Sequence, residues 1–77
     1  MFSKQELYER IAQAMPDATI DIQDLTGGQD HYQATIVSSA FAGLSPIARH
    51  RAVYALFTDV MGGALHALSL TTRVPGE

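Results

Sequence analysis

Cysteine is absent from all 77 residues, and this one gap closes several routes at once. It excludes a disulfide, a zinc finger, an iron–sulfur centre held by the chain's own thiolates and a thiol nucleophile. Basic charge is scarce as well. Lys4 is the only lysine, and eight carboxylates against five basic side chains leave a formal net charge of −3. A free-standing nucleic-acid binder carries the opposite balance, because Lys and Arg neutralising phosphate supply much of its affinity. No apolar run reaches membrane-spanning length, and residues 1–15 are charged and amphipathic with no signal-peptide core. The expectation is a cytoplasmic or equivalent reducing compartment and no membrane. No glycine-rich phosphate cradle opens a helix, and no nucleophile sits at an elbow or oxyanion site, so the sequence does not read as an enzyme.

What is present fits one small domain over residues 1–77. Hydrophobic residues make up 47% and charged residues 17%, too apolar for a disordered tail. A chain of this size buries only about 60% of its unfolded surface, so its margin of stability is thin. Ser3-Lys4-Gln5-Glu6 is a capping box, with the Ser3 hydroxyl taking the Glu6 amide and the Glu6 carboxylate reaching back. Leu7, Ile11 and Ala14 follow on one helical stripe until Pro16 stops it, predicting a helix over 3–15. The period then changes to two. Residues 18–24 alternate around Ile20 and Ile22, and residues 31–38 put Tyr32, Ala34 and Ile36 on one face. Gly27-Gly28 lies between them, which predicts an antiparallel hairpin.

Phe41 reads as a hydrophobic plug in a connector closed by Gly43. Ser45-Pro46 starts a second helix, with an apolar face of Ile47, Val53, Tyr54, Leu56, Phe57 and Val60 running to Met61 and ending at Gly62-Gly63. It could also be broken into two. Residues 65–74 form a last strand with His66, Leu68 and Leu70 on one side, and Pro75-Gly76-Glu77 a frayed tail. A strand, a helical crossover and another strand in one sheet should pair parallel. The fold class is therefore α/β in the broad sense, an α+β two-layer sandwich of order α-β-β-α-(α)-β with a mixed three-stranded sheet.

The reactive inventory is short. Glu6 and Glu9 read as solvated or helix-pairing carboxylates, with Glu6 and Arg10 at i,i+4 spacing. His50, between Arg49 and Arg51, reads as an ordinary helix residue. His31 opens the second strand beside the glycine loop, either as a bland turn residue or as an accessible ligand. His66 stands at a strand mouth, either as a structural hydrogen-bonder or as a chemically available side chain.

The run from Phe41 and Gly43 through Arg49-His50-Arg51 to Val53-Tyr54 resembles the F-x-G-x-x-x-x-x-R-H-R-x-V-Y block of the BolA family. Leu65-His66-Ala67-Leu68-Ser69-Leu70 is similar to its v-H-A-L-s-i strand, and Pro75-Gly76-Glu77 to the P-x-E beyond. His31-Tyr32 ahead of Ile36-Val37-Ser38 is similar to the H-[FY]-x-[VA]-x-x-V-S strand of the histidine-bearing branch. The resemblance implies a topology like the class II KH fold and a non-enzymatic role. It also implies pairing with a monothiol glutaredoxin around a shared [2Fe–2S] cluster, in iron–sulfur trafficking or iron and redox sensing. His66 is then the expected cluster ligand, and His31 the best candidate for the second, with no cluster expected in the isolated chain.

Such ligation is chemically sound. Two histidines can replace two cysteines on one iron, as in Rieske centres. The glutaredoxin and its glutathione would supply the sulfurs. Imidazole binds metal only when neutral, so protons should compete at or below about pH 6.5. Two other readings stay open. One is a DNA-binding regulator whose helix-turn-helix-like region touches phosphate through Arg49, His50 and Arg51, with Arg73 a possible addition; no G-x-x-G clamp of a KH module accompanies them. The other is an adaptor that binds apo glutaredoxin without ligating iron. A weak homodimer is compatible with all three.

Overall fold

Ser3 sets the first helix, its hydroxyl accepting the Glu6 amide at 3.1 Å just ahead of α1, Lys4–Ala14. Only half of the capping box forms: Glu6 turns its carboxylate to Arg10, at 3.1 Å, rather than back to the cap. Leu7, Ile11 and Met15 line the buried stripe. The computed structural model describes residues 2–77, so Met1 of the charged N-terminal stretch lies outside it.

The helix packs on a mixed three-stranded sheet. β1, Thr19–Asp24, runs antiparallel to β2, His31–Val37, pairing Ile20 with Ile36 and Ile22 with Ala34. The turn between them is tied by one carboxylate: Asp24 accepts the amides of Thr26, Gly27 and Gln29 at 2.9–3.3 Å, and Gly27 takes a φ of +78°. In β2 the alternation is regular. Tyr32, Ala34 and Ile36 are buried against the helices, while His31, Gln33, Thr35 and Val37 stand half-buried on the other face. β3, Ala67–Arg73, pairs parallel with β2 in a register running from His31 opposite Ala67 to Val37 opposite Arg73. The two-layer sandwich read from the sequence is the observed fold. Among the described residues no helix is long and apolar enough to cross a membrane.

The crossover from β2 to β3 departs from expectation. Phe41 is the buried plug of a short 3-10 turn, Ser39–Phe41, and Ser45 caps α2, Pro46–Tyr54. Of the two readings of this helix, unbroken to Met61 or broken in two, the unbroken one fails: α-helical geometry stops at Tyr54, followed by a 3-10 turn, Ala55–Phe57. An α-helix would use the Leu56 carbonyl for the Val60 amide; instead Arg10 donates to that carbonyl at 3.0 Å, and Val60 bonds Phe57 one residue later. Arg10 also grips Asp59 with both guanidinium ends, at 2.7 and 3.1 Å, beside the Phe2 and Phe57 rings. Ile47, expected on the apolar face, is 66% exposed because it sits about a third of a turn around the helix from buried Val53.

Two further expectations need correction. The tail is folded rather than frayed: the Glu77 carboxylate takes both guanidinium nitrogens of Arg49 at 2.9 Å and the Val74 amide at 3.0 Å. The last strand begins at Ala67, not Leu65, and His66 does not share the buried side of Leu68. Leu65 is the buried residue and His66 is exposed. The backbone loses its alternation there because the Asp30 carbonyl accepts two consecutive amides, His66 at 2.8 Å and Ala67 at 3.0 Å, so the chain doubles up before the ladder starts.

Candidate metal centre

Because β2 and β3 are parallel and in register from their first residues, their starts lie side by side. His31 is the first residue of β2, and His66 immediately precedes β3. Their ring centroids are 5.2 Å apart, with the planes tilted by 43°. The His66 side chain is exposed, a consequence of the doubled amide contact that turns it away from the core. The side chain of His31 is 36% exposed on the open face of the sheet. Neither imidazole is sealed inside the fold.

The two nitrogens of His31 differ. Nδ1 is buried and lies 3.0 Å from Oδ1 of Asp30, yet the ring is not oriented for an aligned hydrogen bond, leaving Nδ1 without a partner. The neighbouring His31 ring is nevertheless the main reason the Asp30 carboxyl is held below its usual range, with the Thr26 hydroxyl adding a bond at 3.1 Å. Among the described residues no group of three or more His, Asp or Glu side chains is arranged to hold a metal ion. The pair is a two-nitrogen half-site on an open surface. It suits a metal whose remaining ligands come from another molecule.

Asp30 and Leu25 carry parts of this site that sequence reasoning missed. Asp30 read as a turn former; its position directly before His31 was the available signal. Leu25, the large apolar residue at the start of the hairpin turn, is 58% exposed and donates its amide to the His31 carbonyl at 2.9 Å, placing it across from that residue.

The basic cluster of α2 is not brought together in the same way. Arg49 is committed to Glu77 and, through Nε, to the Leu44 carbonyl at 3.0 Å; its side chain is only 14% exposed. His50 lies half-buried, edge-on to Tyr54, whose hydroxyl donates to the Leu68 carbonyl at 2.6 Å. Arg51 and Arg73 are exposed. The site that could meet phosphate thus offers Arg51 readily and Arg49 only by breaking an ion pair.

A family model described as BolA-like protein matches residues 7–77. The chain belongs to the BolA family. Human BolA-like protein 1 is 32% identical over 75 residues, covering 88% of this chain and 55% of that protein. The chain thus spans about half the length of the curated relatives it matches first. Among solved structures, BolA1 from Arabidopsis thaliana superposes with a TM-score of 0.86 at 28% identity, covering 95% of this chain and 92% of that one. The BolA domain of SufE1 from the same organism gives 0.85 at 28% identity, covering 97% and 96%. The BolA fold here is therefore that of a domain found both alone and within a larger protein.

Proposed function

We propose that this BolA-like chain pairs with a monothiol glutaredoxin and supplies His66 and His31 as nitrogen ligands to a [2Fe–2S] cluster held between them, in iron–sulfur trafficking or iron and redox sensing. The observation that carries this reading is the 5.2 Å approach of the two imidazoles at the shared start of β2 and β3, with His66 exposed. The donor set fits the group. A cysteine-free chain contributes nitrogens only, two histidines on one iron are an attested ligation, and the thiolates of a partner and its glutathione complete it. The chain's own residues hold the two rings at the sheet end and expose Leu25 beside them as an apolar contact for the partner. When bound, the cluster supplies one-electron redox chemistry, at a potential higher than all-thiolate ligation gives.

The test is to mix the chain with a holo monothiol glutaredoxin and record visible absorption and circular dichroism. The wild type should shift the glutaredoxin spectrum, and His66→Ala should abolish the shift. An identical shifted spectrum with His66→Ala overturns the ligand assignment. Titration with apo glutaredoxin separates this reading from a plain adaptor: the adaptor binds apo and holo partners equally, whereas shared ligation favours the holo form. Leu25→Asp should weaken the complex without changing the spectrum of what remains bound.

A further inference from the structure

We propose that Asp30 is the positioning residue of the histidine pair: its carboxylate, 3.0 Å from Nδ1 of His31, holds the proton of the neutral ring on that nitrogen and leaves Nε2 as the one presented to a metal. The inference rests on the ligation reading above and assigns the ligating atom within it. Its basis is geometric. His31 Nδ1 is buried and 3.0 Å from Asp30 Oδ1. A carboxylate this close attracts a proton on Nδ1 and repels a lone pair there, even though the contact is bent away from ideal hydrogen-bond geometry, so in the neutral ring the proton belongs on Nδ1 and the free lone pair on Nε2. A carboxylate behind the non-ligating nitrogen is also the usual way in which a metal-binding imidazole has its tautomer and orientation set.

Asp30 is itself braced. The Thr26 hydroxyl donates to the same Oδ1 at 3.1 Å, and the Thr26 oxygen in turn accepts the Gly28 amide at 3.1 Å. Gly28 leaves the space the carboxylate occupies, since a Cβ there would lie 3.1 Å from Asp30 Oδ1 and force it aside by a few tenths of an ångström. The main chain of the same residue serves the other ligand: the Asp30 carbonyl accepts the amides of His66 and Ala67. One residue thus orients the first ring through its side chain and anchors the backbone of the second through its carbonyl.

The experiment reads the tautomer directly, without a cluster. Long-range ¹H–¹⁵N correlation of the imidazoles in the apo chain, under mildly alkaline conditions where the rings are neutral, should show His31 as the Nδ1–H form. Asp30→Ala should move it toward Nε2–H, and Gly28→Ala should do so to a smaller extent. Asp30→Ala retains the carbonyl, so the His66 and Ala67 amides should keep their exchange protection, which separates a local effect from unfolding. In the complex with holo monothiol glutaredoxin, Asp30→Ala should speed loss of the cluster to a chelator by about 10–100-fold. Finding wild-type His31 as Nε2–H, or its tautomer unchanged by Asp30→Ala, overturns the positioning role. If the tautomer behaves as stated but His31→Ala leaves the cluster spectrum and chelation rate of the wild type, the underlying ligation reading fails instead.

Discussion

The two ends of the sheet are built on opposite rules. At the end where β2 and β3 finish, polar groups are closely paired. Asp17 accepts the Ser38 hydroxyl at 2.9 Å and both the amide and the hydroxyl of Ser39, at 2.9 and 2.7 Å, while Arg49 and Glu77 clasp each other bidentately. Both carboxylates sit below their usual range, Asp17 through the Ser39 and Ser38 bonds and Glu77, chiefly through Arg49, at about 2. At the end where those strands begin, a buried ring nitrogen lacks an aligned partner, a second imidazole faces solvent and Leu25 stands out unprotected. One end binds its polar groups to one another; the other leaves two imidazoles open to solvent.

Stability should follow this division. The largest expected loss lies in the core that supports both ends. Phe57→Ala, removing a fully buried ring that meets Phe2 edge-on at 6.0 Å, should cost about 3–5 kcal/mol in chemical denaturation, enough to threaten folding in a chain of this size. Ser38→Ala comes next. It deletes a buried hydroxyl that bonds Asp17 and caps the following 3-10 turn, and should cost about 1–2 kcal/mol.

Acid should open the paired end locally. The folded-state value for Glu77 lies below its ordinary 4.5, so its clamp contributes stability above that pH and loses it as pH falls toward about 2. The Val74 amide, which donates to Glu77, should report this transition by NMR, and Arg49→Gln should move its midpoint back toward the ordinary value. The smallest change in stability belongs to the open end. His66→Ala should stay within about 0.5 kcal/mol of wild type while abolishing the cluster spectrum. A large destabilisation by His66→Ala would erase the contrast between the two ends.

The sheet was legible in the sequence because its signals are local. The alternation over residues 18–24 and 31–38 and the glycine turn between them determine pairing and register with little outside help. The family resemblance pointed to His66 and His31 as the expected pair, and the parallel register brings the two rings together. What escaped was tertiary. Beyond the helix end at Tyr54, Arg10, far away in the chain, takes the Leu56 carbonyl that a continuing helix would have offered to Val60. No periodicity encodes such a competition. Glu77 looked like a loose end because its partner lies on another element. The face of His66 was misassigned because a doubled amide contact to Asp30 breaks the alternation one residue before the strand. These misreadings fall where one element borrows a bonding group from another.

The parallel pairing of β2 with β3 has a consequence for how this protein tolerates change. The separation between the two histidines is set by the ladder from His31 opposite Ala67 onward, not by the length of chain that joins them. Segments in the crossover can therefore lengthen, shorten or be remodelled for new encounters while the two nitrogens keep their spacing. The length of the crossover and the spacing of the two rings are thus mechanically uncoupled.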